Sequence, residues 1–306
     1  MSVRSSQRVA WSAVVLYVLL TFGITWGVWL GLRAAGVPFV IRAAAGMFGP
    51  ALGAVLVRLL RREGFADAAL RVVPKDRAGA GRMYLAAYVT VPLLIFAGIG
   101  MALVTATQHF DPAFMQNQAR AIAAAAASRG KALPLGLSAE HVALLDVVGG
   151  VALAFTFAVP FNMIFTFGEE FGWRGYLLPR LSPLGGVTAA VATGVVWGLW
   201  HAPLIILDGF NYPGHPVSGV GMMVVFTTAL GVIFAWLRFR SGSVWPSTLA
   251  HATLNAQAGL GLVFLSPGHS LIRPPVGILG LIPMLALALW LSATGRVTPD
   301  ASRPAQ

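Results

Sequence analysis

The stretch VVGGVALAFTFAVPFNMIFTFGEEFGWR, Val147 to Arg174, carries no charge as far as Gly168. It then sets Glu169 and Glu170 side by side, with Arg174 four residues after the second. An uncharged apolar run of this length reads as a membrane-spanning helix. Ionised groups at the end of such a run are costly, so they must be either compensated or used.

Working outward, the same chemistry recurs along the chain. Of 306 residues, 57% are hydrophobic and 10% are charged, against about 25% charged in a soluble globular protein. The expected fold class is therefore all-α: a polytopic membrane protein, because backbone facing lipid must satisfy its own hydrogen bonds. Eight apolar spans are predicted, at about 10–32, 41–60, 83–105, 144–168, 186–207, 218–237, 245–265 and 275–294. This divides the chain into N-terminal helices and loops over 1–143, a bundle bearing the polar motifs over 144–294, and a short polar tail over 295–306. The uncharged run Val9–Leu32 follows Arg4 and Arg8 and is too long for a signal-peptide core, so it is read as the first span. Residues 61–82, basic and holding Pro74, read as a linker beside anionic headgroups, and 106–143 as a long loop with a short surface helix at AIAAAAASRG.

The formal charge of +11 and the absence of cysteine narrow the function classes. Without cysteine there are no disulfides, thiolate metal sites or thiol nucleophile. The excess of positive charge follows the loops: with the N-terminus inside, 15 of the 21 Lys and Arg residues fall on one side. Both termini are therefore expected in the cytoplasm, with the Glu169–Glu170 end of its span on that side. No basic and aromatic groove pattern accompanies the charge, so nucleic acid is not an expected partner. The preference for Arg over Lys, 19 to 2, points to a GC-rich genome and hence a bacterial plasma membrane.

Among the polar residues, His109, His141, His215 and His269 fall in loops or at span edges. His201 lies within VVWGLWHAP, four residues after Trp197 and on the same helix face. His251 lies in STLAHATLNAQ with Asn255 one turn on. If the segment after Gly168 is helical, Glu170 and Arg174 form an i,i+4 pair in the favourable orientation, while Glu169 points about 100° away with no cation beside it. One carboxylate is then paired and one left for proton transfer. Two chemistries fit. Glu169 and His201 polarise a water while His251 and Asn255 stabilise an oxyanion, or Glu169, His201 and His251 hold a divalent metal such as zinc that activates the water. There is no HExxH zincin helix and no G-x-S-x-G elbow.

These residues resemble the CPBP family of CAAX-protease and bacteriocin-processing (Abi) membrane proteins. Its pattern is EExxxR, an aromatic-xxx-His motif and HxxxN in that order. Here the three read Glu169-Glu170-Phe-Gly-Trp-Arg174, Trp197-Gly-Leu-Trp-His201 and His251-Ala-Thr-Leu-Asn255. The second motif usually begins with phenylalanine, and Trp197 departs from it. The resemblance implies that 144–294 is a catalytic helical bundle, an intramembrane endopeptidase cutting a membrane-associated protein or peptide of CAAX or bacteriocin and immunity type. It also implies Glu169, His201, His251 and Asn255 as site residues, with Glu170, Arg174 and Trp197 in support, and is compatible with metal-dependent or metal-independent water activation. A proton-coupled transporter and a non-catalytic scaffold are the competing readings. A transporter is expected to show inverted repeats, and none are visible.

Overall fold

An apolar backbone in lipid can close its hydrogen bonds within each segment by coiling into helices. The computed structural model describes residues 8–75 and 79–299, and among them it contains helices and no strand, only an isolated bridge between Phe110 and Leu265. Arg4, Arg77, Arg303 and most of the C-terminal tail lie outside the described residues. The chain is an all-α polytopic membrane protein.

The first half supplies α1 (Trp11–Ala34), α2 (Phe39–Gly46), α3 (Gly49–Arg61), α4 (Ala80–Val104), α5 (Phe114–Ser128) and α6 (Ala139–Phe155). The second half supplies α7 (Ala158–Gly172), α8 (Leu178–Leu181), α9 (Gly186–Trp200), α10 (Ala202–Asp208), α11 (Pro216–Ser241), α12 (Trp245–Gln257), α13 (Leu260–Phe264) and α14 (Ile278–Ala293). A π-helical turn, Trp173–Leu177, joins α7 to α8.

The predicted eight spans are not reached. Among the described residues, five helical segments are long and apolar enough to cross a bilayer, and six if the pair α6 and α7–α8, bent by 49°, counts as one span. The reason is that hydropathy registers apolarity and not helix breaks. The fourth predicted span breaks at Thr156, whose φ of −124° and ψ of −98° are far from helical. The seventh divides into the 13-residue α12 and the 5-residue α13, and the eighth shortens to the 16-residue α14. The expected surface helix in the 106–143 loop is present as α5, lying against α6.

Glycines bring the site-bearing helices together. In G-EEF-G, Gly168 and Gly172 press α7 onto the α2–α3 junction: a β-carbon on Gly168 would stand 2.6 Å from the Met47 carbonyl oxygen, and one on Gly172 would strike Pro50. In G-VVW-G, Gly194 and Gly198 press α9 onto α11, where a β-carbon would stand 2.5 Å from Thr228 Cα or Val224 Cα. Small residues four apart permit such close crossings, which is how helices associate where lipid offers no hydrophobic drive. Side-chain hydrogen bonds complete the alignment: Thr166 Oγ1 donates to the Thr248 carbonyl (3.2 Å), Ser247 Oγ to the Phe234 carbonyl (2.9 Å), and Thr227 Oγ1 to the Gly194 carbonyl (2.9 Å). α7, α9, α11 and α12 are thereby fixed around one interior.

The basic linker is more ordered than its composition suggests. Its first part folds over the end of the bundle, where Val244 N–H donates to the Ala69 carbonyl and the Trp245 indole to the Leu70 carbonyl. Asp67 accepts from Arg58 and Arg180, and Glu63 from Arg180, Arg61 and Tyr176. The sequence reading gives 61–82 as a linker beside headgroups, and the pairing of Arg180 with Asp67 and Glu63, 113 and 117 positions away, leaves no local sequence signal.

Candidate active site

Glu169 and Glu170 occupy the last turn of α7 and are both buried, 2% and 0% exposed. Arg174 Nη1 donates to Glu170 Oε1 at 2.8 Å, the i,i+4 pair expected from the sequence. The guanidinium also lies over two aromatic faces, 4.6 Å from the Trp197 ring and 5.0 Å from Phe234. Stacking of this kind compensates a desolvated cation. Glu170 Oε2 and Arg174 Nη2 have no hydrogen-bond partner among the described residues.

Glu169 has no ion pair among the described residues, yet it is not unheld. Its Oε2 accepts from the Trp197 indole at 2.6 Å and, more weakly, from the Trp173 indole at 3.4 Å. Its Oε1 accepts no hydrogen bond from any described residue. Trp173 could have been found by the i,i+4 spacing that revealed Arg174. Phe234, on a distant helix, left no sequence signal.

His201 sits at the junction between α9 and α10, just before Pro203, with half-buried side-chain surroundings. Its Nδ1 is 2.9 Å from the Trp197 carbonyl oxygen. A carbonyl can only accept, so Nδ1 carries the proton and Nε2 of the neutral ring is a bare acceptor. Phe210 stacks on the ring at 6.2 Å between centroids, and the Trp26 indole donates to the Trp200 carbonyl, tying α1 to the end of α9.

His251 gains a partner that its spacing did not indicate. Its Nδ1 lies 3.0 Å from Glu170 Oε1, so it joins the paired carboxylate rather than Glu169. Its ring meets Trp197 edge-on at 5.2 Å, and it lies within electrostatic reach of both Glu169 and His201. Asn255, one turn further on α12, is exposed and makes no side-chain hydrogen bond among the described residues. Glu169, Glu170, Arg174, Trp197, His201 and His251 thus surround one interior, and Asn255 stands at its margin.

Among the described residues no three His, Cys, Asp or Glu side chains converge to hold a metal ion. His201 and His251 each use Nδ1 in a hydrogen bond, to the Trp197 carbonyl and to Glu170 respectively.

Residues 148–257 match the family model described as type II CAAX prenyl endopeptidase Rce1-like. Over that stretch the chain is similar to this family. The resemblance carried by the three motifs holds, since all of them fall within the matched residues. The family is one of membrane proteases. No curated protein matches the chain.

Proposed function

We propose that the protein is an intramembrane endopeptidase in which Glu169 is the general base. The observation that carries this reading is the asymmetry of Glu169: one oxygen anchored by an indole, the other taking no hydrogen bond from any described residue, in a buried site where Glu170 is already paired with Arg174. A water held by Glu169 Oε1 and His201 Nε2 meets two acceptors, which turns its lone pair toward a peptide carbonyl. Attack forms the C–O bond while Glu169 takes the proton. The substrate carbonyl oxygen becomes an oxyanion, and the proton later passes to the leaving amine.

His251 suits the opposite task. With Nδ1 directed at Glu170, its ring is held as a carboxylate-oriented imidazole, and once protonated Nε2 can donate to the oxyanion. Asn255, one turn along the same helix, adds a free amide donor. The substrate is a membrane-associated protein or peptide, a CAAX-type C-terminus being the chemistry closest to the matched family. The distribution of Lys and Arg between the loops supports a bacterial plasma-membrane protein with both termini on the cytoplasmic side.

The test is cleavage of a membrane-peptide library that includes prenylated CAAX peptides, read by mass spectrometry on protein in lipid nanodiscs. Wild type is expected to give defined products, and Glu169→Ala to lose at least about 10²-fold in rate, the scale of a positioned general base. Cleavage by Glu169→Ala at the wild-type rate would remove Glu169 from the mechanism. Exhaustive chelation is expected to leave turnover intact, and loss restored by added zinc would move the reaction to a metal.

A further inference from the structure

Trp197 touches four residues of the site: Glu169, Arg174, His201 and His251. Its indole N–H donates to Glu169 Oε2 at 2.6 Å. Its ring face carries the Arg174 guanidinium at 4.6 Å, and its ring meets His251 edge-on at 5.2 Å. Its carbonyl accepts from His201 Nδ1 at 2.9 Å. The side chain is 2% exposed and its helix is locked by Gly194 and Gly198 on either side. A phenylalanine at this position keeps the ring face and the backbone carbonyl but has no N–H.

We propose that Trp197 is a positioning residue for the reaction, its indole N–H anchoring Oε2 of Glu169 so that Oε1 is the oxygen presented to the water. This rests on the reading of Glu169 as the base. A carboxylate on a helix end has two χ torsions and a flat terminal rotation to settle. The nearest cation, Arg174, is taken by Glu170, and the second indole, Trp173, is at the long limit of a hydrogen bond. The Trp197 N–H is the short, directed contact that selects one orientation. Hydrogen bonds to a charged acceptor are the strong ones, and a buried one is strengthened by the low local dielectric.

Two variants separate the N–H from the ring. Trp197→Phe removes the donor and part of the ring. Replacement of Trp197 by 3-benzothienylalanine keeps the bicyclic shape and the Arg174 contact and removes the donor alone. Both are expected to lower kcat about 10- to 100-fold, the range for losing a hydrogen bond to a charged group, with KM within about twofold because substrate does not touch the indole nitrogen. The midpoint of thermal unfolding is expected to stay within a few degrees for the isostere.

If Glu169→Ala is inactive while the benzothienyl variant turns over like wild type, the inference is overturned and the base assignment stands. A loss in Trp197→Phe that the isostere restores assigns the effect to ring size and likewise overturns it. Wild-type activity in Glu169→Ala defeats the underlying reading itself. A rise in KM with kcat unchanged would make Trp197 a substrate contact, which also contradicts the proposal.

Discussion

The molecule uses the same residue types in two places and solves their electrostatics in opposite ways. In the loop network, Asp67 has Arg58 and Arg180 on its two oxygens, and Glu63 accepts from Arg180, Arg61 and Tyr176. Both acids keep some contact with solvent, with 18% and 22% of their side chains exposed. In the site, Glu169 and Glu170 are sealed among indole and phenyl rings with a single guanidinium between them, and Glu170 Oε2 and Arg174 Nη2 lack hydrogen-bond partners among the described residues. The loop cluster is saturated with donors and the site is deliberately short of them. A saturated carboxylate is a structural element. The proposed base, Glu169, differs in having one oxygen that accepts no hydrogen bond from any described residue.

The contrast breaks most readily at Arg174. Arg174→Ala leaves Glu170 buried with no cation, and removing one partner of a buried pair costs about 3–5 kcal/mol. Thermal or denaturant unfolding in detergent is expected to show a loss of that size, together with loss of activity. A change under about 1 kcal/mol would mean that Glu170 does not depend on Arg174 for its charge, and would remove the distinction drawn between the clusters.

Asp67→Asn sharpens the other side. The amide keeps the shape and loses the charge, so Arg58, itself fully buried, is left without its anion. The expected cost is about 1.5–3 kcal/mol, smaller than at Arg174 because Arg58 still donates to the Gly175 carbonyl and lies over the Tyr176 and Phe65 rings. Peptide cleavage per folded molecule is expected to be unchanged.

The smallest effect is expected in acid. Burial pushes the Glu63 and Asp67 carboxyls up, and the arginines around them more than reverse it, so both sit below the usual carboxylate range. A carboxyl whose folded-state value is depressed contributes stability above its unfolded value, near pH 4, and loses it as the pH falls through the depressed value. Stability of the wild type is therefore expected to be flat above about pH 5 and to decline below about pH 4, with a shallower decline in Asp67→Asn. An identical acid limb in the two proteins would show that the loop network contributes nothing to that dependence.

Much of this was legible before any coordinates. Composition decided the membrane class, because a chain with 10% charged residues and long uncharged runs has no other stable state. The i,i+4 spacing of Glu170 and Arg174 was enough to pair them, since neighbours on a helix face are fixed by helix geometry alone. The three motifs, in order on successive apolar segments, pointed to the family whose model matches residues 148–257. Helix breaks were not legible: Thr156 and the divided seventh span interrupt runs that hydropathy scores as continuous.

What only the tertiary structure decided is who holds whom. Local spacing left Glu169 without a partner and set His251 beside Asn255. The fold instead brings Trp197 from α9 to Glu169 and His251 from α12 to Glu170. These contacts join residues 28 and 81 positions apart, so no helical period can encode them. They depend on the assembly of α7, α9, α11 and α12, in which Gly194 and Gly198 bring α9 onto α11 and the Thr166, Ser247 and Thr227 hydroxyls bond from one helix to the next.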